Sequence, residues 1–425
     1  MREMRDSGVA WIGKIPDDWE VKRTKYLFTL ESGATPKSEN DAYFDGDIPW
    51  ITPADYKTND VYVSQGRRNI SELGLNSCSA KLIPSGSIIF SKRAPIGAVA
   101  INTVALCTNQ GCLSCISKDE QNTKFFYYVM SICTDQYNLL GSGTTFKEIS
   151  ATNFAGFSLP NPSFQMQNQI VAHLDAACEK VKALIANVEA QIDKLKSYKQ
   201  SLISEVVTKG LDPTVPMKDS GVEWIGEIPA HWEITRIKNK FELRNERNDE
   251  ADLSKVNLIS LYTDLGVVQH SDLTETTGNR AVTAEGYKIV HKNDIVVNII
   301  LCWMGAVGMS KYDGVTSPAY DIYCPLGGTL SEYYHYLFRT PRFNGECYRY
   351  GRGIMMMRWR TYSTEFRSIT IPCPPVEEQH QIIGYLNKKC AEIDRLIAIK
   401  QQKIEKLNDY KKSLIYEYVT GKKEA

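Results

Sequence analysis

Asp6-Ser-Gly-Val-Ala-Trp-Ile-Gly-Lys-Ile-Pro-Asp-Asp-Trp19 returns as Asp219-Ser-Gly-Val-Glu-Trp-Ile-Gly-Glu-Ile-Pro-Ala-His-Trp232, an offset of 213 residues. A second echo sets Leu159-Pro160 and Gln169-Ile170 against Ile371-Pro372 and Gln381-Ile382, an offset of 212. In a chain of 425 residues these offsets leave room for two copies of one unit. Two similar surfaces held in one chain suit a bipartite target better than a single catalytic pocket.

Each unit divides into three parts. The Trp-Ile-Gly-x-Ile-Pro-x-x-Trp segment, 11–19 and 224–232, reads as a turn leading into a strand or short helix, with its tryptophans as packing anchors. A block follows, about 30–160 and 243–372, rich in short β-branched runs and turn residues, which predicts a strand-rich α+β domain. Within it Lys81–Phe90 and Lys288–Asn298 read as matching hairpin-like stretches, continued by Pro95–Ile101 and Met304–Met309. Helical patches are expected at about 121–139 and 330–345. The third part has the strongest periodicity. From Gln165 to Thr208 there is no Pro and no Gly, and Leu174, Val181, Val188, Leu195 and Leu202 recur every seven residues, with Cys178, Ile185 and Ile192 between them. From Glu377 to Thr420 the same pattern is Leu386, Ile393, Lys400, Leu407 and Leu414, with Cys390, Ile397 and Ile404 between. These are heptads. A 44-residue helix is roughly 65 Å long and cannot hide such a stripe alone. The two are therefore expected to pack on each other, antiparallel as the internal symmetry favours. The expected boundaries are 1–160, 161–215, 216–372 and 373–425.

Composition narrows the class. Apolar residues make up 43% and charged residues 24%, both ordinary for a soluble protein. No segment approaches the 18 or so uncharged apolar residues of a membrane span, and the N-terminus lacks the apolar core of a signal peptide. Eleven cysteines without framework spacing predict reduced, mostly buried thiols and a cytoplasmic location. Lys+Arg and Asp+Glu are 50 each, so any nucleic-acid surface must arise from the distribution of charge.

The repeat also tests motifs. Asp17, Glu20 and Lys22 resemble a metal-nuclease triad, but the second copy has Ala230, Glu233 and Thr235 there. Asn161-Pro162-Ser163-Phe164 resembles the base-gripping loop of amino-methyltransferases, and the second copy reads Cys373-Pro374-Pro375-Val376; helix entry explains the prolines. Cys107, Cys112 and Cys115 supply one Cys-x2-Cys without a second pair, and the histidines are scattered. No phosphate-binding loop is present. No catalytic chemistry, metal or cofactor is expected. Basic clusters are visible: Arg67, Arg68, Lys81, Lys92, Arg93 and Lys147 in the first block, Lys292 in the second, and then Arg349, Arg352, Arg358 and Arg360 in a stretch (339–360) whose only acid is Glu346. Arginine forks onto phosphates and guanine edges. Gly141–Lys147 and Gly351–Gly353 occupy matching places.

Taken together, Gly8–Trp19 with its copy at 221–232, Leu159-Pro160 through the helix to Thr208, and Ile371–Gln379 with the helix to Thr420 resemble the specificity subunit of type I restriction-modification systems over essentially the whole chain. The resemblance implies two target recognition domains, about 20–160 and 233–372, each reading half of a split double-stranded DNA sequence in the major groove. It implies two spacer helices that set the gap and bind two adenine-N6 methyltransferase subunits. Restriction/translocase subunits would add ATP-dependent cleavage, and the chain itself would be non-catalytic. By the family's loop pattern, Thr145 and Lys147 are implied DNA contacts, with Phe146 standing where that pattern has Gln, and Arg358 is the match in the second copy. The competing expectation is a duplicated coiled-coil scaffold that binds proteins without sequence-specific DNA recognition.

Overall fold

A computed structural model of the chain describes residues 3–57, 60–143, 147–272, 283–353 and 359–424. The fold is α+β, an internal duplication of β-rich domains joined to two long helices that pack as an antiparallel coiled coil. Contacts divide the chain into two units, Met1–Val188 with Gln402–Ala425, and Glu189–Gln401.

In the first unit the central five-stranded sheet runs Phe28–Ser32, Cys112–Ser117, Ile88–Ser91, Val99–Asn102 and Tyr62–Val63. All its neighbours are antiparallel except the last pair. The middle strand Ile88–Ser91 is buried throughout, and its side chains alternate between two cores, as a period of two requires. Ile88 and Phe90 face the larger core, with Phe125, Phe126, Leu174 and Leu414; Ile89 faces a smaller one with Ile51, Ile83 and Leu106. Hydrophobic patterning alone would not mark this strand as half-exposed, because neither face meets water.

The second unit repeats the plan with four strands, Phe241–Arg244, Tyr320–Pro325, Ile295–Asn298 and Val307–Met309. Ile295 and Val297 again face the core that holds the long helices, and Val296 faces the other. The hairpin-like stretches expected at 81–90 and 288–298 are not hairpins. Ile83 bridges to Leu106 while Ile88–Ser91 pairs with Val99–Asn102. Likewise Lys288–Val290 pairs with Gly314–Thr316, while Ile295–Asn298 pairs with Val307–Met309. In each case a turn passes the chain from one sheet to another, and the true hairpin follows it.

The helical patches are each two helices, Thr123–Ser131 and Thr134–Leu140, then Ser331–Phe338 and Pro341–Tyr350. Asn122 caps the first of these from its side chain, and Thr340 caps the last with proline at its start. The long helices span Phe164–Lys209 and Val376–Val419. In the first unit His173 stacks near Tyr418. In the second, Lys400 donates to Gln191 and Lys199 pairs with Asp394 at 2.7 Å. Numbers rise on one helix as they fall on the other, so the pairing is antiparallel within each unit. Leu174, Val181, Val188, Ile192, Leu386, Ile393 and Leu414 are buried, whereas Ile185, Leu195, Leu202, Ile397, Ile404 and Leu407 are half-buried. Two helices cover only one side of each other; the blocks complete the burial toward the helix ends.

Each long helix stops on a glycine in the left-handed region, Gly210 (φ +77°) and Gly421 (φ +69°). Gly210 sits against Pro229 and Trp232, and Gly421 against Pro16 and Trp19. The repeated Trp-Ile-Gly segments thus seat the helix ends.

Candidate nucleic-acid interface

The two blocks build the same edge from different residues. Each edge joins the tip of the hairpin after the central strand, a short helix, and a second hairpin closed by a bridge. In the first unit the bridge is Ser142 with Glu148, and Ile149 N–H donates to Lys92 C=O at 3.1 Å. In the second it is Arg352 with Arg360, and Thr361 N–H donates to Ile299 C=O at 2.9 Å. Gly97 (φ +90°) and Gly305 (φ +91°) make the matching turn, and the short helices end with Gly141 N–H on Asn138 C=O and Gly351 N–H on Tyr348 C=O. Thr145 and Arg358, the implied contacts, lie outside the described residues, as do Phe146 and Met355–Met357.

Around the first edge Lys92 and Arg93 share one carboxylate, Glu148, at 3.2 and 3.6 Å. Lys147 is exposed beside it. Around the second, Arg352 pairs with Glu365 at 2.7 Å and Arg349 with Glu346 at 3.1 Å, while the side chain of Arg360 is exposed. The remaining candidates belong to other elements. Arg67 donates to Ala54 C=O and lies 3.5 Å from Asp55. Arg68 pairs with Asp45 and covers the Phe44 ring at 4.0 Å. Lys81 pairs with Glu31 at 2.8 Å. Lys292 lies in the turn before the central strand, where its backbone N–H is the first cause holding the Asp313 carboxyl below the usual range. Arg339, also in the basic stretch, is a clamp: it donates to the carbonyls of Gly305, Val307, Thr263 and Asp264.

Two devices hold each block on its long helix. One is a glutamine latch. Gln167 accepts from Asn122 N–H and donates to Pro162 C=O; Gln379 accepts from Leu330 N–H and donates to Pro374 C=O. The prolines of the methyltransferase-like loop are thereby occupied at the helix entry. The other is a tyrosine lock. Tyr128 donates to Asp175 at 2.6 Å, with Lys124 on the same carboxylate at 2.8 Å; Tyr336 donates to Asn387 at 2.6 Å, and Asn387 donates to Glu332 at 2.9 Å. Sequence reading passed over Glu148, Gln167, Gln379, Asp175 and Asn387. The repeated Gln at an offset of 212 was a usable signal; the lock was not, because its partners differ between copies.

Two of the nuclease-like trio, Glu20 and Lys22, are taken up by structure. Glu20 pairs with Lys22 at 2.9 Å, and Lys22 holds the Glu20 carboxyl below its usual range. Both sit on Glu20–Arg23, paired with Ser158–Asn161. Burial pushes the Cys107 thiol up to about 11 and Cys112 to about 12, and raises Cys115 further. Among the described residues no group of three or more His, Cys, Asp or Glu could hold a metal ion, and no helix is long and apolar enough to cross a membrane.

The family model for the type I restriction modification DNA specificity domain matches residues 16–194. The MjaIX type I restriction enzyme specificity subunit of Methanocaldococcus jannaschii is 33% identical over 244 residues, 56% of this chain and 55% of that one. The HindI specificity subunit of Haemophilus influenzae is 31% identical over 35% of this chain and 33% of its own. The matches thus span about half and a third of these two relatives' lengths. A putative MjaX specificity subunit, also of M. jannaschii, is 24% identical over 97% of this chain and 95% of that one. A solved chain from work on complex assembly and conformational transition of the type I R-M system shares the fold, with a TM-score of 0.66 at 13% identity over 95% of this chain and 98% of that one.

Proposed function

Because the chain belongs to the family of type I restriction-modification specificity subunits, we propose that it is the DNA-sequence-recognition subunit of such a complex and reads a bipartite target. Residues 1–160 and 216–372 are the two target recognition domains; 161–215 and 373–425 are the spacer helices and their linkers. The chain is non-catalytic. Two methyltransferase subunits carry out adenine-N6 methylation on the sequence it selects, and restriction subunits carry out ATP-dependent cleavage.

The observation that carries this reading is the pair of equivalent edges. Each has a bridge and a glycine turn at matching places, while the side chains they offer differ: Asn138 against Tyr348, Ser142 against Arg352, Glu148 against Arg360. A scaffold that binds one kind of protein twice has no need of such divergence; two readers of unlike half-sequences do. Phosphate contacts fix register and base-edge contacts carry sequence. Lys92, Arg93, Lys147, Arg349, Arg352 and Arg360 lie at the edges and serve the first purpose, and Glu148, Glu346 and Glu365 restrain Lys92, Arg93, Arg349 and Arg352 before DNA arrives. Arg67, Arg68, Lys81 and Lys292, on other elements, serve as further phosphate contacts, and Thr145 and Arg358 as further DNA contacts. Methylome sequencing of cells with and without the gene tests the assignment. The expected result is loss of one bipartite N6-methyladenine motif; retention of every motif in a host expressing the partner methyltransferase refutes it.

A further inference from the structure

The second unit leaves an aromatic cluster at the edge just described. The Trp359 ring stacks on Tyr348 with centroids 5.0 Å apart and planes 21° from parallel, and its Nε1 donates to Tyr348 C=O at 2.9 Å. Trp303 meets Tyr348 edge-on at 5.7 Å. Three elements converge here: the turn Cys302–Met304, the helix Pro341–Tyr350 and the bridged hairpin. The cluster is braced from within. Cys302 and Cys347 are fully buried with their sulfurs 3.2 Å apart, and Thr361 donates its hydroxyl to Cys347 C=O at 2.9 Å.

Among the described residues of these elements, two large hydrophobic side chains are exposed. Met304 is 50% exposed and Tyr348 is 42% exposed. Around them stand the exposed Arg349, Arg352 and Arg360, whereas the acids Glu346 and Glu365 have largely buried side chains. The surface is apolar at the centre and cationic at the rim, which fits a polyanion whose contact face carries an apolar group. The first unit has Pro95, Ile96 and Asn138 at the places of Trp303, Met304 and Tyr348, and Ile96 is buried. Its most open apolar group among the described residues is Leu139, one position beyond Asn138 and 84% exposed. Both edges therefore offer an apolar tip, with different shape and chemistry.

We propose that Met304 and Tyr348, backed by Trp303 and Trp359, read the C5-methyl group of a thymine in the major groove of one half-target. That methyl is the apolar group which base edges present in this groove. An exposed thioether and aromatic ring, which lose water favourably on contact with a methyl, are suited to it, whereas arginines at the rim are suited to phosphate or guanine. The inference rests on the reading of the chain as a DNA-recognition subunit.

The test uses the chain assembled with its methyltransferase subunits and a duplex carrying the methylated motif. Each thymine of both half-targets is replaced in turn by deoxyuridine, which removes only the methyl group. In the wild-type complex one replacement in one half-target lowers affinity roughly four-fold, the worth of one buried methyl. Met304→Ala and Tyr348→Ala each weaken binding to the thymine duplex and erase its advantage over the uracil duplex. Met304→Leu keeps the advantage, and thermal melts of the three variants match wild type to show that they fold. If the wild-type complex prefers the motif but no thymine matters, or if the thymine advantage survives in both alanine variants, the inference fails while the DNA-recognition reading stands. If the wild-type complex does not distinguish the motif from a scrambled duplex, that reading fails and takes the inference with it.

Discussion

Replacing Asp175 by alanine isolates what holds the first block to its long helix. The carboxylate accepts from Tyr128 at 2.6 Å and from Lys124 at 2.8 Å. Tyr128 is buried; burial, and then the hydrogen bond to Asp175, raise its phenol far above the ordinary value, so the hydroxyl is a permanent donor. Removing its acceptor leaves a buried hydroxyl unpaired, at a cost of about 1–3 kcal/mol. The partly exposed ion pair with Lys124 adds about 0.5–1 kcal/mol. Asp175→Ala is therefore expected to destabilise the first unit by about 2–3 kcal/mol. For a unit of this size that lowers its melting temperature by about 2–4 °C per kcal/mol. Asp175→Asn recovers most of the loss, since Asn387 serves Tyr336 in just this way. Tyr128→Phe and Asp175→Ala combined fall short of additivity by about 1 kcal/mol or more, because both remove the same bond. The assay is urea unfolding followed by tryptophan fluorescence and circular dichroism on wild type and all four variants. A loss under about 0.5 kcal/mol for Asp175→Ala, or equal losses for Asn and Ala, refutes the lock.

Three further outcomes are expected. His335 is partly buried and accepts from Met309 N–H at 3.1 Å; desolvation first, then Arg339 and Lys311, depress its pKa from 6.5 to about 3. The unfolded state then binds the extra proton between these values, so stability is complete above pH 6.5 and is lost as pH falls toward 3, by about 2 kcal/mol at pH 5. Melts between pH 7 and 5 check this, and a flat profile that matches His335→Asn contradicts it. Gly421→Ala is expected to cost more than Gly210→Ala. Both impose a left-handed conformation worth about 1–2 kcal/mol, but the Cβ at 421 overlaps the Pro16 ring whereas at 210 it only touches Trp232; thermal melts of the two variants check the order. Lys147→Ala is expected to weaken duplex binding about equally for all sequences and to reduce the slope of log affinity against log salt by about one. A change in the methylated motif instead would make Lys147 a base reader.

The duplication, the long helices and their antiparallel pairing are legible because each rests on a repeated pattern. A seven-residue repeat free of Pro, with no Gly in the first helix and only Gly384 in the second, followed by Gly210 or Gly421, specifies a long helix and its end. The central strands were harder. Ile88–Ser91 and Ile295–Asn298 are buried on both faces, so their apolar runs were grouped with the wrong neighbours, and the hairpin was placed one turn too early. At the edges, counting arginines found the right region but not the arrangement. Chain distance does not reveal that Glu148 gathers Lys92 and Arg93, or that Arg339 is spent on backbone carbonyls and not on solvent. The glutamine latch repeats in sequence, whereas the tyrosine lock has swapped partners and is visible only in space.

That swap makes the two copies unequal as donors of parts. Suppose the blocks were exchanged while the long helices stayed in place. The first block would bring Lys124 and Tyr128 to Asn387, a neutral amide that accepts from either. The second would bring Glu332 and Tyr336 to Asp175, setting two carboxylates side by side. Shuffling is thus easy in one direction and obstructed in the other, and a cassette that moves freely between copies must extend past the block into the first turns of its helix, far enough to carry residue 175 or 387 with it.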